Sequence, residues 1–195
     1  DVFKLHSIVK QKGVKDKTLD LILNNAKKNT LPNILFDITM KDKSDLSDVT
    51  PKLLEAGYDP RNIHLVWILT DYKVASKANK ERDRVVPENI LFLSHQRAAK
   101  NMLQRIKTMT KVPNLGRKTV DGQVHVVLNN RNKTEFYPNV TKVPVVKDFS
   151  YVTIKKSGKP YDNDRNILTT VLRWAIENSP LGKKEISGLK QRFDL

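Results

Sequence analysis

Two short apolar runs, each closed by polar residues, constrain the fold of this chain more than any other feature. The first run covers residues 34–36 and leads straight into Asp37 and Thr39. The second covers residues 63–69 and leads into Thr70 and Asp71. A helical segment separates the two runs, and a charged helix follows the second. Two buried strands joined by an amphipathic helix predict a βαβ unit in a parallel sheet.

The polar residues that close these runs indicate where a ligand would bind. Ligands of open α/β sheets lie beyond the carboxyl ends of the strands. Asp37, Thr39, Thr70 and Asp71 are expected at those ends. The arginine-rich residues 80–87, which follow the charged helix, are placed to fold over them.

The remaining pattern predicts an α/β domain with a three-layer parallel sheet. The run at residues 33–39 is almost wholly apolar before Asp37, as in a strand that helices cover on both faces. Further strands are predicted at residues 124–128 and 149–154, and Asp164 is expected to cap an amphipathic helix. Gly57 is expected to end the helix between the first two strands.

Composition places the chain among globular proteins and narrows its partners. Of its 195 residues 38% are hydrophobic and 29% charged, and none is cysteine. Cysteine-free chains have neither disulfides nor thiolate metal sites and suit a reducing compartment. No run is long and apolar enough for a membrane span, and no signal peptide is evident. The sequence therefore predicts a cytoplasmic protein that does not bind membranes.

The formal net charge of +15 favours polyanionic partners such as nucleotides or nucleic acid. The same lysines also serve as ordinary solubilising surface charge, so both interpretations stay open. The chain begins at Asp1-Val2-Phe3, without Met and without a capping sequence. We therefore expect that an earlier portion precedes it.

Three stretches carry a resemblance to a known family: residues 34–39, residues 63–70 and the run Asn79-Lys80-Glu81-Arg82-Asp83-Arg84-Val85-Val86-Pro87-Glu88. Together they resemble zeta-toxin-like P-loop kinases, a group with members in phages. The resemblance implies a P-loop kinase sheet that is incomplete at its N-terminus. It also implies a kinase-like core over residues 1–132 with an arginine lid near 72–87. Residues 133–195 are then an extension that packs on the same domain.

The chain departs from this family at the phosphate-binding loop. It contains no G-x-x-x-x-G-K-[ST] motif, and its two Gly-Lys pairs, at Gly158 and Gly182, are followed by Pro160 and Lys184. Either the Walker A segment lies upstream or the protein has lost it. Kinase activity is expected only in the first case.

The resemblance assigns roles to the lid and to the acid of the first run. Lys80, Arg82 and Arg84 would contact ATP or GTP, because a guanidinium binds phosphate oxygens bidentately and stays charged. Arg84 and Asp37 are the predicted catalytic residues, and Asp37 would also hold Mg²⁺ or accept a proton. The alternative interpretations are a solvated helix end held by local ion pairs and an aspartate that orients a loop.

Three further residues are candidates for binding the acceptor: Asp1, Thr39 and His95. A lone helical histidine is more often structural or exposed, and that alternative stays open for His95. The other histidines lack metal-ligand spacing, and no Gly-x-Ser-x-Gly motif is present. The sequence thus favours neither a zinc site nor a nucleophilic hydrolase.

The sequence predicts an ATP- or GTP-dependent phosphotransferase that acts on a hydroxyl of a nucleotide or sugar-nucleotide. The alternative is a kinase-like protein without catalysis that binds nucleic acid or belongs to a nucleoprotein assembly. By analogy with the antitoxins of the family, an inhibitory protein partner is a third possible ligand.

Overall fold

The computed structural model describes residues 2–26, 30–42, 44–111, 120–129, 135–136, 146–148, 150–160, 162 and 164–193. Helices and strands are mixed along the chain, which confirms the α/β class. The helices are α1 (Val2–Gln11), α2 (Val14–Asn25), α3 (Ser44–Ser47), α4 (Thr50–Ala56), α5 (Tyr72–Lys80), α6 (Glu88–Lys111), α7 (Arg165–Asn178) and α8 (Lys183–Phe193). The strands are β1 (Leu65–Thr70), β2 (Val124–Asn129), β3 (Glu135–Phe136), β4 (Val146–Asp148) and β5 (Ser150–Lys155).

Three of the strands form a mixed sheet in the order β1-β2-β5. Strand β1 runs parallel to β2, with Leu65 opposite Val124 and Thr70 opposite Asn129. Strand β5 joins the other edge of β2 antiparallel. The predicted parallel arrangement therefore holds for β1 and β2 and is wrong for β5. Strands β3 and β4 form a separate antiparallel pair.

The main hydrophobic core lies on one face of this sheet. Alternate residues of the strands, including Trp67, Leu69, Val126 and Ile154, are buried there. They pack with buried residues of α6 and α7, namely Ala99, Met102, Leu103, Ile106, Val171, Leu172, Trp174 and Ala175. Burial of these apolar side chains is the main contribution to stability.

The opposite face of the sheet carries exposed apolar side chains. Val66, Ile68 and Tyr151 are 57%, 60% and 57% exposed. Val66 and Ile68 lie opposite His125 and Val127 of β2, so all belong to one face. The second run was predicted to be a buried strand, but in the described part of the chain β1 is buried on one face only.

The first apolar run is not a strand. Residues 30–41 have no regular secondary structure, so the predicted strand at 33–39 and its βαβ unit are wrong. The segment nevertheless alternates like a strand: Ile34, Phe36 and Ile38 are half-buried, and the residues between them are exposed. A strand requires a hydrogen-bonded neighbour. Among the described residues, none pairs with this segment.

A second, smaller core anchors the beginning of this segment. Leu19 and Leu23 of α2 pack with Val49 and Leu53 in and beside α4. Ile34 and Phe36 pack against this cluster, and so does Ile63 just before β1. Met40, at the far end of the segment, packs against the main core instead, as does Leu65. The segment and β1 therefore run in the same general direction, from the smaller core to the main core.

A buried lysine closes the amino end of β1. Lys155 is 6% exposed, and its ammonium donates to the Asp121 carboxylate at 2.7 Å. It also donates to the backbone carbonyls of Asp121, Lys156 and Lys159. Asp121 N–H in turn donates to the Pro60 carbonyl at 2.8 Å. We call residues 59–64, 120–123 and 155–159 the Lys155 junction.

Several predicted helix boundaries are confirmed. Asp71 caps α5 by accepting the N–H groups of Lys73 and Val74. Asp164 caps α7 by accepting the N–H of Asn166. Gly57 ends α4 with φ of 104°, a left-handed conformation that a residue with a Cβ rarely adopts.

Candidate functional site

A large groove separates the irregular segment at 31–40 from β1. Its volume is about 1500 Å³, and the N-terminal half of α6 contributes to its walls. Three of the predicted site residues, Asp37, Thr39 and His95, line this groove. Thr70, at the carboxyl end of β1, lines it as well. The groove thus brings together the predicted metal ligand and two predicted acceptor contacts.

The arginine-rich turn that follows α5 is held by Asn79. This residue is 2% exposed, and its side-chain amide donates to the Val86 carbonyl at 2.7 Å. Its oxygen accepts the Val86 N–H at 2.9 Å. Because Val86 lines the groove, these two bonds fix the end of the turn at the groove wall. Asn79 therefore defines the conformation of residues 81–86.

Arg82 and Arg84 differ in their surroundings. Arg82 donates from Nε and an Nη nitrogen to the same Asn79 oxygen, at 3.1 and 2.6 Å. Arg84 is exposed, and no described residue forms a hydrogen bond or ion pair with its guanidinium. Lys80 is also exposed. None of the three is among the described residues that line the groove, and Asp1 lies outside the described residues.

Hydrogen bonds from Tyr72 and Ser76 hold Glu88, at the start of α6, against α5; we call this contact the latch. The Tyr72 hydroxyl donates to a Glu88 carboxylate oxygen at 2.6 Å, and the Ser76 hydroxyl donates to the same oxygen at 2.8 Å. These bonds lower the pKa of Glu88, that of Tyr72 acting most strongly. Burial, together with the Glu88 carboxylate, raises the pKa of Tyr72 to about 12. The latch thus pairs a neutral phenol with a carboxylate at neutral pH.

His95 faces the groove from α6 and is half-buried. Its ring meets that of Tyr72 edge to face, with the ring centroids 5.4 Å apart. Burial lowers the pKa of His95 below its ordinary value, because a charged imidazolium is poorly solvated there. The imidazole is therefore neutral at pH 7, and it can donate or accept one hydrogen bond at the groove.

Three residues that organise this site were not assigned a role from the sequence. Asn79 and Glu88 stand at the two ends of the run that carries the resemblance, and Tyr72 lies outside it. Two weak signals were available in retrospect. Asn79 is a polar residue on the helix face that carries Ala75, and Glu88 directly follows Pro87, at the start of a helix.

The Asp37 carboxylate is of the type that binds Mg²⁺, but no cluster of further ligands surrounds it among the described residues. The carboxylate is exposed and has no hydrogen-bond partner among the described residues. The described residues contain no group of three or more side chains suited to a metal ion. Mg²⁺ is commonly bound by one or two carboxylates together with waters and substrate phosphates.

We found no protein-family model, curated protein or solved structure that matches this chain. In the part of the chain that the structure describes, every helix is too short or too polar to span a bilayer.

Proposed function

We propose that this chain is part of a P-loop-type phosphotransferase that moves the γ-phosphate of ATP or GTP to a hydroxyl of a nucleotide or sugar-nucleotide. The proposal follows the resemblance to zeta-toxin-like kinases. It includes the finer fold assignment, a three-layer sheet of the kinase type to which the described strands would contribute one side. The phosphate cradle would come from residues outside these 195.

The observation that carries the proposal is the pair of bonds between Asn79 and Val86. They hold an arginine-bearing turn at the edge of a groove whose lining includes Asp37. Phosphoryl transfer depends on positioning and charge neutralisation more than on covalent chemistry. A fixed turn that presents a guanidinium beside an acid-lined groove is suited to that task.

The two arginines would divide the work. Arg82 already donates two hydrogen bonds to Asn79, so its main role would be to position the turn. The exposed guanidinium of Arg84 has donors free for phosphate oxygens. Lys80 would add positive charge near the phosphates, without the fixed bidentate geometry of an arginine.

At the groove, Asp37 would hold Mg²⁺ through water or accept the proton of the acceptor hydroxyl. The metal, when bound, would neutralise charge on the phosphates. Thr39 and the neutral His95 would orient the acceptor by hydrogen bonds.

The test is transfer of labelled γ-phosphate from ATP and GTP to a panel of nucleotides and sugar-nucleotides, with the chain in its natural full-length protein. We expect Arg84→Ala to lower the rate about a hundredfold, as loss of one transition-state donor does. Arg97→Ala, which removes an exposed arginine of α6 outside the arginine-rich turn, is the matched control. Equal rates for Arg84→Ala and wild type would refute the role of the turn.

A second candidate function is favoured by the net charge of +15: binding of nucleic acid without catalysis. It predicts that affinity for RNA or DNA falls steeply and linearly with log salt concentration. Absence of phosphotransfer together with such a dependence would favour this candidate over the kinase.

A further inference from the structure

The outer edge of β1 exposes unpaired backbone groups to the groove. Leu65 N–H donates to the Gln123 carbonyl, so the backbone of Leu65 points toward β2. Successive residues of a strand direct their N–H and C=O groups to opposite edges. The N–H and C=O groups of Val66 and Ile68 and the N–H of Thr70 therefore point away from β2. No described residue pairs with them.

The facing wall of the groove, formed by residues 33–39 opposite β1, also resembles a strand without a neighbour. Residues 33–39 alternate between half-buried and exposed, and they have no backbone partner among the described residues. Both walls run from the smaller core toward the main core. Each wall therefore resembles a strand that lacks its neighbour on the groove side.

The size of the groove favours a polymeric occupant. Pockets for drug-sized ligands have volumes of about 300–1,000 Å³. This groove has about 1500 Å³ and extends along the whole of β1, from Leu65 to Thr70. A single extended peptide matches both the length and the two rows of unpaired backbone groups.

The charge of the lining selects one end of that peptide. The described lining residues include three aspartates, Asp37, Asp45 and Asp59, and no lysine or arginine, although the protein as a whole is strongly basic. Asp59 is bound to Arg61 at 2.6 Å, and Asp45 accepts the N–H of Asp42. Asp37, toward the carboxyl end of the facing wall, has no partner among the described residues. In an occupant that runs parallel to β1, a cationic side chain at the carboxyl end would complement it.

We propose that the groove binds one extended peptide strand, apolar at alternate positions and cationic at its carboxyl end. The strand inserts between residues 33–39 and the outer edge of β1. Its backbone pairs with Val66, Ile68 and Thr70 on one side, as in β-strand addition. Its terminal cation meets Asp37. The inserted strand converts the facing wall into a strand and adds two members to the sheet.

This inference goes beyond the proposed function, because strand binding requires neither nucleotide nor catalysis. It is tested without nucleotide, so its failure leaves the phosphotransfer experiment unaffected.

The probe is a terminally blocked synthetic peptide that alternates valine and threonine over eight residues and ends in two lysines. Two matched controls carry N-methyl groups on alternate backbone nitrogens, one for each edge. A third control ends in two glutamates. Affinity is measured by fluorescence anisotropy, and hydrogen exchange is followed for the amides of β1.

We expect the parent peptide to slow exchange at Val66, Ile68 and Thr70 about tenfold or more, with little change at Trp67 and Leu69, which already bond to β2. Each N-methylated control should bind about tenfold more weakly, because it loses hydrogen bonds along one edge. The glutamate control should also bind more weakly than the parent. Asp37→Asn should reduce the preference for lysine over glutamate, whereas Glu55→Gln, an exposed acid of α4, should not.

Three results would overturn the proposal. The first is equal binding of parent and N-methylated peptides, which would mean apolar adsorption. The second is absence of binding or of added protection at Val66, Ile68 and Thr70. The third is protection of these amides in the peptide-free chain together with a dimeric mass, which would mean that a second copy already covers the edge.

Discussion

At the Lys155 junction the buried ammonium of Lys155 and the neighbouring backbone groups find partners within 3.2 Å. Along the groove, at the outer edge of β1, the outward backbone groups of Val66 and Ile68 have none among the described residues. Both regions surround the same strand, yet one is closed by polar contacts and the other is open. The junction is therefore closed by its own polar contacts, whereas the outer edge of β1 has backbone donors and acceptors that the proposed peptide strand would pair.

The largest expected effect comes from a pair of isoleucines, one in the main core next to the Lys155 junction and one on the groove wall. Ile154 is fully buried in the main core, and Ile38 is half-buried on the groove wall. Ile154→Ala should lower the free energy of unfolding by about 4 kcal/mol, because it leaves a cavity in a closely packed core. Ile38→Ala should cost about 1 kcal/mol, because its surroundings are already partly open. Urea unfolding of both variants measures the difference, and equal losses would contradict the comparison.

The next effect concerns Gly122, which lies where the junction is most crowded. A Cβ on this residue would meet the Ile63 carbonyl oxygen at 2.2 Å and a His64 ring nitrogen at 2.9 Å. The carbonyl is backbone and cannot move aside without shifting the chain before β1. We expect Gly122→Ala to cost about 3 kcal/mol in denaturant unfolding.

The matched control is Gly188 of α8, where an added Cβ meets nothing within 4 Å. Gly188→Ala should raise stability by about 1 kcal/mol, because alanine favours a helix more than glycine does. A Gly122→Ala variant as stable as wild type would show that the junction is less rigid than its contacts indicate.

The sequence predicted the elements that local signals define. Asp71 and Asp164 marked helix starts, Gly57 marked a helix end, and the apolar run at 63–69 marked β1. It failed where the outcome depends on neighbours distant in sequence. Residues 33–39 have the composition of a strand, but pairing is decided by what lies beside them, and no pattern within those residues reports that.

Some residues of the candidate site were named from the sequence, and others were not. Asp37, Thr39 and His95 were predicted from their positions relative to apolar runs and the lid, and all three line the groove. Their roles stay predictions. Asn79 was not found, because its importance arises from a return of the chain to Val86, seven residues later. The resemblance pointed to Arg82 and Arg84 as a pair, whereas the contacts separate them. That they act on phosphate stays a prediction.

A smaller effect is expected from Lys155 itself. Lys155→Met keeps most of the side-chain volume but leaves three carbonyls and the Asp121 carboxylate without their shared donor. Asp121 is 42% exposed in its side chain, so water replaces part of what is lost. We expect a loss of about 2 kcal/mol. Lys156→Met, at the exposed neighbouring position, should change stability by less than about 0.5 kcal/mol. Equal losses in the two variants would contradict the closed character of the junction.

The smallest expected effect is a pH dependence of stability that reports how strongly the groove shields His95 from water. Burial lowers the pKa of His95 in the folded state, whereas the unfolded chain keeps a value near 6.5. As the pH falls through 6.5, the unfolded state therefore gains a proton before the folded state does. The resulting stability is fully present above pH 6.5 and is lost as the pH falls toward the folded-state pKa, by at most about 1.4 kcal/mol per pH unit.

The matched measurement is unfolding of wild type and His95→Gln between about pH 5 and 7.5, above the range in which carboxylates titrate. The lowered pKa values of Asp59, Glu88 and Glu185 act below that window, and Tyr72 stays neutral throughout it. The wild type should lose stability relative to His95→Gln as the pH falls, by about 1 kcal/mol or less in total. Parallel curves would mean that water reaches His95 freely. An inserted peptide strand should steepen the wild-type slope, because it would shield the imidazole further and lower its pKa in the folded state.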